Sequence, residues 1–308
     1  MTRGNAPNHE RLPHQPLSRP TSSMAFTTLI GATELQTRMQ ADTSLVLLDC
    51  GFDLADPGAG QRAFAAAHLP SARYANLDLD LSGDKTGQNG RHPLPDFSSW
   101  AATVGRWGVT PQTQVVTYDD QGGPYAARAW WLLRWLGHHA VAVLDGGRAA
   151  WRAAGGAMTA DVQPAQPQAP YPAQAPAMPT VDASALLARL GQGRLFDARA
   201  GERFRGEVEP LDGVAGHIPG ATLRFFKDNL QADGLFKPAS LLRREFDALG
   251  AGGLPGAAMV HQCGSGVTAC HNLLAMAHAG FGDTVLYPGS WSEWCCDSQR
   301  PMVKASDA

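Results

Sequence analysis

Four short landmarks occur twice in this chain of 308 residues, in the same order. Leu47-Leu48-Asp49 returns as Leu195-Phe196-Asp197, and His68-Leu-Pro-Ser-Ala72 as His217-Ile-Pro-Gly-Ala221. Val115-Val-Thr-Tyr-Asp119 returns as Met259-Val-His-Gln-Cys263. Leu144-Asp-Gly-Gly147, followed by Trp151, returns as Tyr287-Pro-Gly-Ser290, followed by Trp294. The members of each pair stand 143 to 149 residues apart. A spacing this steady is the mark of an internal repeat, so the chain is expected to fold as two copies of one unit, each about 130 residues long.

Punctuation between the copies supports that division. Residues 160–179 hold a dense run of prolines, DVQPAQPQAPYPAQAPAMP. Proline removes a backbone donor and fixes φ, so helix and central strand are both disfavoured there, and a stiff, extended linker is expected. Residues 1–23 are polar and proline-rich, with no apolar core of the kind a secretory signal needs. They read as a disordered tail, and patterned sequence opens at Met24. The expected division is therefore a tail over 1–23, a first domain over 24–159, a linker over 160–179 and a second domain over 180–308.

Within each copy, short apolar runs alternate with helical periodicity. Residues 45–48, 115–118, 140–144, 195–196, 258–262 and 284–287 read as buried strands. Residues 126–136 and 267–279 read as helices, because apolar residues recur at three and four positions. Alternation of this kind implies an α/β fold: a mainly parallel sheet with helices on both faces, built twice. Ligands in such folds bind beyond the carboxyl ends of the strands, and Cys263 stands at one of those ends.

Composition narrows the function classes. A formal net charge of −3 gives no electrostatic reason for a nucleic-acid or anionic membrane partner. No apolar run approaches the roughly 18 residues of a membrane span. Five cysteines without a signal peptide do not make a disulfide scaffold, and with no C-x-x-C pair a structural zinc site is not expected. A reducing cytoplasm, where free thiols do chemistry, is the expected setting.

The segment around Cys263 is the most informative. An apolar strand ends at the cysteine, Gly264-Ser265-Gly266 follows, and a helix begins near Val267 or Thr268. Glycines permit the tight strand-to-helix turn, which aims several N–H groups at one point as an anion nest. A helix N-terminus favours the thiolate, the nucleophilic form of cysteine. The residues alone leave two readings open: a reactive cysteine, and a buried one beside a glycine turn.

This loop, Cys263-Gly-Ser-Gly-Val-Thr-Ala269, resembles the active-site loop of the rhodanese superfamily, and most of all that of the thiosulfate and 3-mercaptopyruvate sulfurtransferases. Asp197-Ala-Arg-Ala-Gly-Glu-Arg-Phe-Arg-Gly206 is similar to the arginine-bearing segment of that family. Gly216-His-Ile-Pro-Gly-Ala221 and Gly289-Ser-Trp-Ser-Glu-Trp294 are similar to its later turns, and His68-Leu-Pro and Leu144-Asp-Gly-Gly147 to its amino-terminal copy. The resemblance spans roughly residues 24–301. It implies that Cys263 takes the outer sulfur of a small anionic donor as a persulfide and passes it to cyanide, a small thiol or thioredoxin, in two steps of covalent catalysis without cofactor or metal. It further implies that Gly264, Gly266, Val267 and Thr268 surround the sulfur with N–H groups, that Arg203 binds the donor, and that Arg199 either binds it too or pairs with Asp197. A monomer suffices.

The resemblance also bears on the donor. Thiosulfate-type members place an Arg-Lys pair after the cysteine, where this chain has Gly264 and Ser265. The neutral loop is similar to the mercaptopyruvate type, in which a first-domain histidine and aspartate support the serine. By motif these are expected to be His68 and Asp56, although His68 has a plainer reading as the brace of a turn, like its counterpart His217. One departure stands out. The family's further arginine after Glu-Pro is absent, since Glu209-Pro210 is followed by Leu211, and Arg205 is a conceivable substitute. Asp119 occupies the position of Cys263 in the first copy, so that copy is expected to be silent.

Rival readings fare less well. A cysteine phosphatase needs an arginine six positions beyond its cysteine, where this chain has Ala269. A non-catalytic binding module of this fold has no need to retain Cys263, its glycine loop and Arg203. A metal site from Cys263, Cys270, His271 and His278 fails because seven residues of helix separate the two histidines by about two turns. Cys295 and Cys296 are expected to be inert, and Trp130, Trp131 and Trp135 to be core.

Overall fold

The computed structural model of the chain describes Met1 and residues 25–41 and 44–304. The expected tail and a start at Met24 lie outside the described residues.

The first half runs β1 (Leu29–Ile30), α1 (Ala32–Ala41), β2 (Leu45–Asp49), α2 (Ala59–Ala66), β3 (Arg73–Tyr74), α3 (Phe97–Arg106), β4 (Gln114–Tyr118), α4 (Pro124–Trp135), β5 (Val141–Leu144) and α5 (Gly147–Ala153). Its sheet has the order β1-β5-β4-β2-β3, and every pairing in it is parallel. The second half runs α6 (Ala183–Ala188), β6 (Arg194–Asp197), α7 (Gly201–Phe204), β7 (Ala221–Leu223), α8 (Ala239–Phe246), β8 (Met259–Gln262), α9 (Thr268–His278), β9 (Val285–Leu286) and α10 (Ser290–Trp294). Its sheet has the order β7-β6-β8-β9, again parallel throughout. Thr180 bridges Leu286 in parallel, taking the place that β1 holds beside β5.

The repeat read from sequence is therefore a repeat in space. β2, β3, β4 and β5 match β6, β7, β8 and β9. The central strands are buried along their length, as in β4 (Gln-Val-Val-Thr-Tyr) and β8 (Met-Val-His-Gln), because helices cover both faces of a parallel sheet. The strand expected over 284–287 is shorter, Val285–Leu286; it is held by β8 on one side and by the Thr180 bridge on the other.

Helices α4 and α9 are apolar nearly all round and nearly all buried, the pattern of a helix with no solvent face. They pack against each other across the two halves, and one hydrophobic cluster runs from Trp130 and Leu133 through Leu273 and Met276. Polar contacts reinforce that seam. His271 Nε2 lies 3.0 Å from the Gly122 carbonyl, and Phe236 N–H donates to Asp145. Trp130 and Trp131 are fully buried within this packing. Residues 160–179 carry no helix or strand. Their backbone donates to the carbonyls of Gly105, Ala101 and Trp135, which seats the segment along the first half.

Candidate active site

The cleft between the halves lies at the carboxyl ends of β4 and β8. From the second half it is lined by Cys263, Gly264, Ser265, Val267, Thr268 and Arg203; from the first by Arg91, His92, Pro124 and Tyr125.

Cys263 follows β8 directly and is 1% exposed. Its backbone is fixed on both sides. The Cys263 N–H donates to Ser290 Oγ at 3.1 Å, and its carbonyl accepts from Trp291 N–H at 2.9 Å. Ser290 adopts φ +54°, in the left-handed region that non-glycine residues rarely enter. The first copy has Gly147 there, at φ +55°. The second copy thus accepts a strained serine whose hydroxyl holds the loop, donating to the Tyr287 carbonyl at 2.9 Å. Gly266 takes φ +77°, where a Cβ would meet the Pro288 carbonyl oxygen at 2.3 Å. Gly266 is not among the residues lining the cleft, and its positive φ and close approach to Pro288 shape the loop.

The two copies differ instructively at this turn. In the first, the Asp119 carboxylate accepts from the N–H groups of Gln121, Gly123, Tyr125 and Ala126, at 2.8–3.0 Å. An aspartate from the chain itself fills that nest. Around Cys263, among the described residues, no carboxylate of the chain takes the loop N–H groups. The same turn therefore carries a cysteine in one copy and a structural carboxylate in the other.

Ser265 Oγ lies 2.7 Å from His92 Nδ1, and His92 Nε2 lies 3.6 Å from Asp78 Oδ1. This overturns the expected partners. His68 lies beside α2: its Nδ1 donates to the Phe64 carbonyl at 2.7 Å, and its ring stacks on Phe64 at 4.0 Å. His217 does the same with Phe204 in the other copy. Both histidines brace turns because both copies need the same brace. Asp56 is exposed and paired with Arg62 on the surface, away from Ser265. The actual partners, Asp78 and His92, lie on the long loop joining β3 to α3. That loop has no counterpart among the repeat landmarks, so landmark matching passed over it. A signal was present in Gly90-Arg-His-Pro-Leu-Pro95, a histidine stiffened by flanking prolines.

Burial, with the positive charge of Arg128 as a second cause, depresses the basicity of His92 to about 3. The ring is neutral at physiological pH. With Nε2–H facing Asp78, the Nδ1 lone pair accepts the Ser265 hydroxyl proton, and the serine's own lone pairs are left for the cleft. Arg128 lies beneath this pair, fully buried on α4. It donates to the carbonyls of Leu81, His92, Pro93 and Gly266, at 3.1–3.3 Å. One guanidinium thus ties the histidine loop of the first half to the cysteine loop of the second. Cys270 also donates to the Gly266 carbonyl, at 3.3 Å, from within α9.

The arginines sort by partner. Arg199 is 3% exposed and holds Asp197 through three contacts of 2.7–3.1 Å, donates to the Gly216 carbonyl, and stacks over Trp291. Its Nε and Nη2 hold Asp197, while Nη1 carries no hydrogen bond among the described residues and the side chain also lines the cleft, so the structural pairing is present and the binding role is left open. Arg203 is held by Glu209 at 2.7 Å and Asp212 at 3.1 Å, and lines the cleft. Arg205 pairs with Glu207 on the surface and does not reach the cleft. Arg91 pairs with Asp212 from the other side of the cleft.

Among the described residues, no group of three or more His, Cys, Asp or Glu side chains is arranged to hold a metal ion. His271 packs on Phe236 between Gly122 and Asn229. The five cysteines are free thiols. No described helix is long and apolar enough to cross a membrane.

A family model described as a rhodanese-like domain matches residues 31–154. A protein of Pseudomonas aeruginosa named "Probable 3-mercaptopyruvate sulfurtransferase" is 49% identical over 284 residues, covering 91% of this chain and 99% of its own. The thiosulfate sulfurtransferase of Bos taurus is 34% identical over 247 residues, covering 76% and 79%. Among solved structures, a 3-mercaptopyruvate sulfurtransferase from Leishmania major superposes with a TM-score of 0.78 at 28% identity, over 90% of this chain and 76% of that one. With two parallel-sheet halves, a cysteine loop at their cleft and a relative 49% identical over 99% of its length, this chain belongs to the two-domain sulfurtransferases of the rhodanese family.

Proposed function

We infer that this sulfurtransferase takes its sulfur from a 3-mercaptopyruvate-type donor, carries it as a persulfide on Cys263, and delivers it to a small thiol, thioredoxin or cyanide. The observation that carries the donor assignment is the chain of contacts from Ser265 through His92 to Asp78, set in a loop whose positions 264 and 265 are uncharged. A dianion such as thiosulfate gains nothing from a serine backed by a neutral imidazole. A thiol next to a carbonyl does, because it must lose a proton as its carbon–sulfur bond breaks.

In this reading the Cys263 thiolate attacks the donor sulfur. The new bond is Cys263 Sγ–S, and the bond that breaks is the donor's C–S bond. Its electron pair passes to the three-carbon fragment as an enolate. The donor's thiol proton moves to Ser265 Oγ and on to that fragment, giving pyruvate and leaving the persulfide anion. His92 holds the serine proton in the right direction. Loop N–H groups and the buried charge of Arg128 stabilise the sulfur's negative charge. The acceptor nucleophile then attacks the outer sulfur and restores the thiolate. The amino-terminal copy supplies His92 and one wall, and does no sulfur chemistry through Asp119. A single chain completes the cleft, so a monomer acts, and a chemistry run by free thiols fits a reducing cytoplasm.

The test is initial rates with 3-mercaptopyruvate and thiosulfate, side by side, with cyanide as acceptor. A strong preference for 3-mercaptopyruvate that Ser265→Ala abolishes is the expected result. A preference for thiosulfate overturns the donor assignment.

A further inference from the structure

We propose that the first half carries an anion site remote from the cleft, built by Arg73 and the proline-rich linker, which takes a compact oxyanion of the phosphate or sulfate type. The site lies at the starts of β2 and β4, the opposite end of those strands from the cleft, and shares no lining residue with it.

Three observations carry it. First, a cavity of about 300 Å³ opens there between the sheet and residues 163–168, and no acidic side chain lines it. Second, Arg73 on β3 lines that cavity as a cation without an anion. Its Nε and Nη1 are shut from solvent and have no hydrogen-bond partner among the described residues, which leaves Nη2 as the nitrogen the cavity can reach. Burial lowers the basicity of the group, and no charged neighbour offsets that loss. A guanidinium taken out of water without a counter-charge is costly. Because its charge is delocalised over the three nitrogens, an anion at Nη2 neutralises the whole group. Third, the linker is held over this arginine by a close backbone approach. Gly108 takes φ +77°, and a Cβ there would lie 2.7 Å from the Gln166 carbonyl oxygen and 3.8 Å from Arg73 Nη2. Gln168 N–H donates to the Gly105 carbonyl at 2.9 Å. The scaffold itself does not call for an arginine here. Arg73 pairs with Leu48 of β2, and its counterpart in the second copy, Thr222, pairs with Phe196 of β6 in the same way.

The ligand class follows from where the donors stand. Arg73 forms one wall, Gln163, Gln166 and Gln168 of the linker bring amides to another, and Thr110 and Thr113 form a third. The two threonine hydroxyls lie 3.0 Å apart, so one hydroxyl hydrogen joins them and the other remains for a ligand. A tetrahedral oxyanion offers acceptors in all of these directions, whereas a carboxylate offers them in one plane. Bound there, the anion ties the linker to the sheet of the first half.

The experiment is amide hydrogen exchange of the full chain, read peptide by peptide by mass spectrometry, in inorganic phosphate and in chloride at equal ionic strength. Phosphate should slow exchange in the linker peptide over 163–168, and sulfate should do the same. In Arg73→Met the phosphate concentration that gives half of this protection should rise at least about 10-fold, the scale of one charge-assisted hydrogen bond. The substitution removes no hydrogen bond among the described residues, so melting in chloride should match the parent protein. Gln166→Glu is a second variant, on the exposed linker, that sets a carboxylate beside Arg73. Its linker should be protected in chloride already and gain nothing from phosphate. Protection confined to the cysteine loop, residues 263–268, would place the anion in the cleft alone and overturn the proposal. Linker protection that persists unchanged in Arg73→Met, or a phosphate response that Gln166→Glu leaves intact, overturns it as well.

Discussion

Asp119→Asn is the sharpest probe of how the silent copy is built. Asp119 is 1% exposed, and its carboxylate accepts four backbone N–H groups: those of Gln121 and Gly123 on Oδ1, and those of Tyr125 and Ala126 on Oδ2. Asparagine has nearly the same shape but only one oxygen. Whichever way the amide turns, two N–H groups face an NH2 and lose their acceptor. Each buried donor left unpaired costs about 1–3 kcal/mol, so the substitution should cost about 2–6 kcal/mol. At about 2–4 °C per kcal/mol for a chain of this size class, the melting temperature should drop by about 4–24 °C. The assay is thermal unfolding followed by circular dichroism, with Asp120→Asn as control. Asp120 faces solvent and pairs with Arg148 at 3.2 Å, and loss of an exposed pair costs about 1 kcal/mol at most. Sulfur transfer well below the melt should persist in Asp119→Asn, since Asp119 does not line the cleft. Melting within a degree or two of the parent protein would refute the idea that this carboxylate is the structural stand-in for a catalytic sulfur.

Other outcomes follow from the same geometry. Cys263→Ala should abolish transfer from every donor while leaving the melting curve close to the parent; turnover above background would sink the persulfide route. His92→Gln should lower kcat with 3-mercaptopyruvate by about 100-fold or more, the scale of a lost proton-transfer partner, whereas His68→Gln should leave kcat alone and cost about 1 kcal/mol of stability through its bond to Phe64. The reverse ranking in steady-state rates would return the site to His68. His261 sits fully buried on β8, stacked on Phe196 with neither ring nitrogen hydrogen-bonded, and burial depresses its basicity to about 3. It stays neutral in the fold and takes a proton only when unfolded, so its contribution is complete above about pH 6.5 and is lost as pH falls toward about 3. His261→Phe should therefore gain on the parent protein by about 1.4 kcal/mol per pH unit across that window, read from urea unfolding at several pH values; a pH-independent difference would contradict it.

Much of the architecture was legible because it depends on periodicity. The repeat, the parallel strands and the two buried helices all follow from apolar spacing, and a pattern that occurs twice is read with two chances. The cysteine loop was legible for a similar reason: strand, glycines and helix are contiguous, so Cys263, Gly264, Ser265, Val267 and Thr268 come to the cleft together. Contiguity also misled. His68 belongs to a motif present in both copies, and its duplication marks it as scaffold: His217 stacks on its own phenylalanine in the same way. Asp78 and His92, which reach Ser265, stand outside the repeat.

Neighbours along the chain were enough to settle two α/β units, a cysteine at the end of a strand, and an aspartate where the first copy has no thiol. Which distant groups come together beside that cysteine was settled by packing between the halves. His92 and Ser265 are 173 residues apart in the chain and 2.7 Å apart in space. The physical cause of their meeting is the burial of α4 against α9, which docks the halves, with Arg128 donating across the seam to carbonyls of both loops. Nothing local to either loop encodes that contact. It comes from the apolar faces of two helices that pack on the strands of their own halves and, across the seam, on each other.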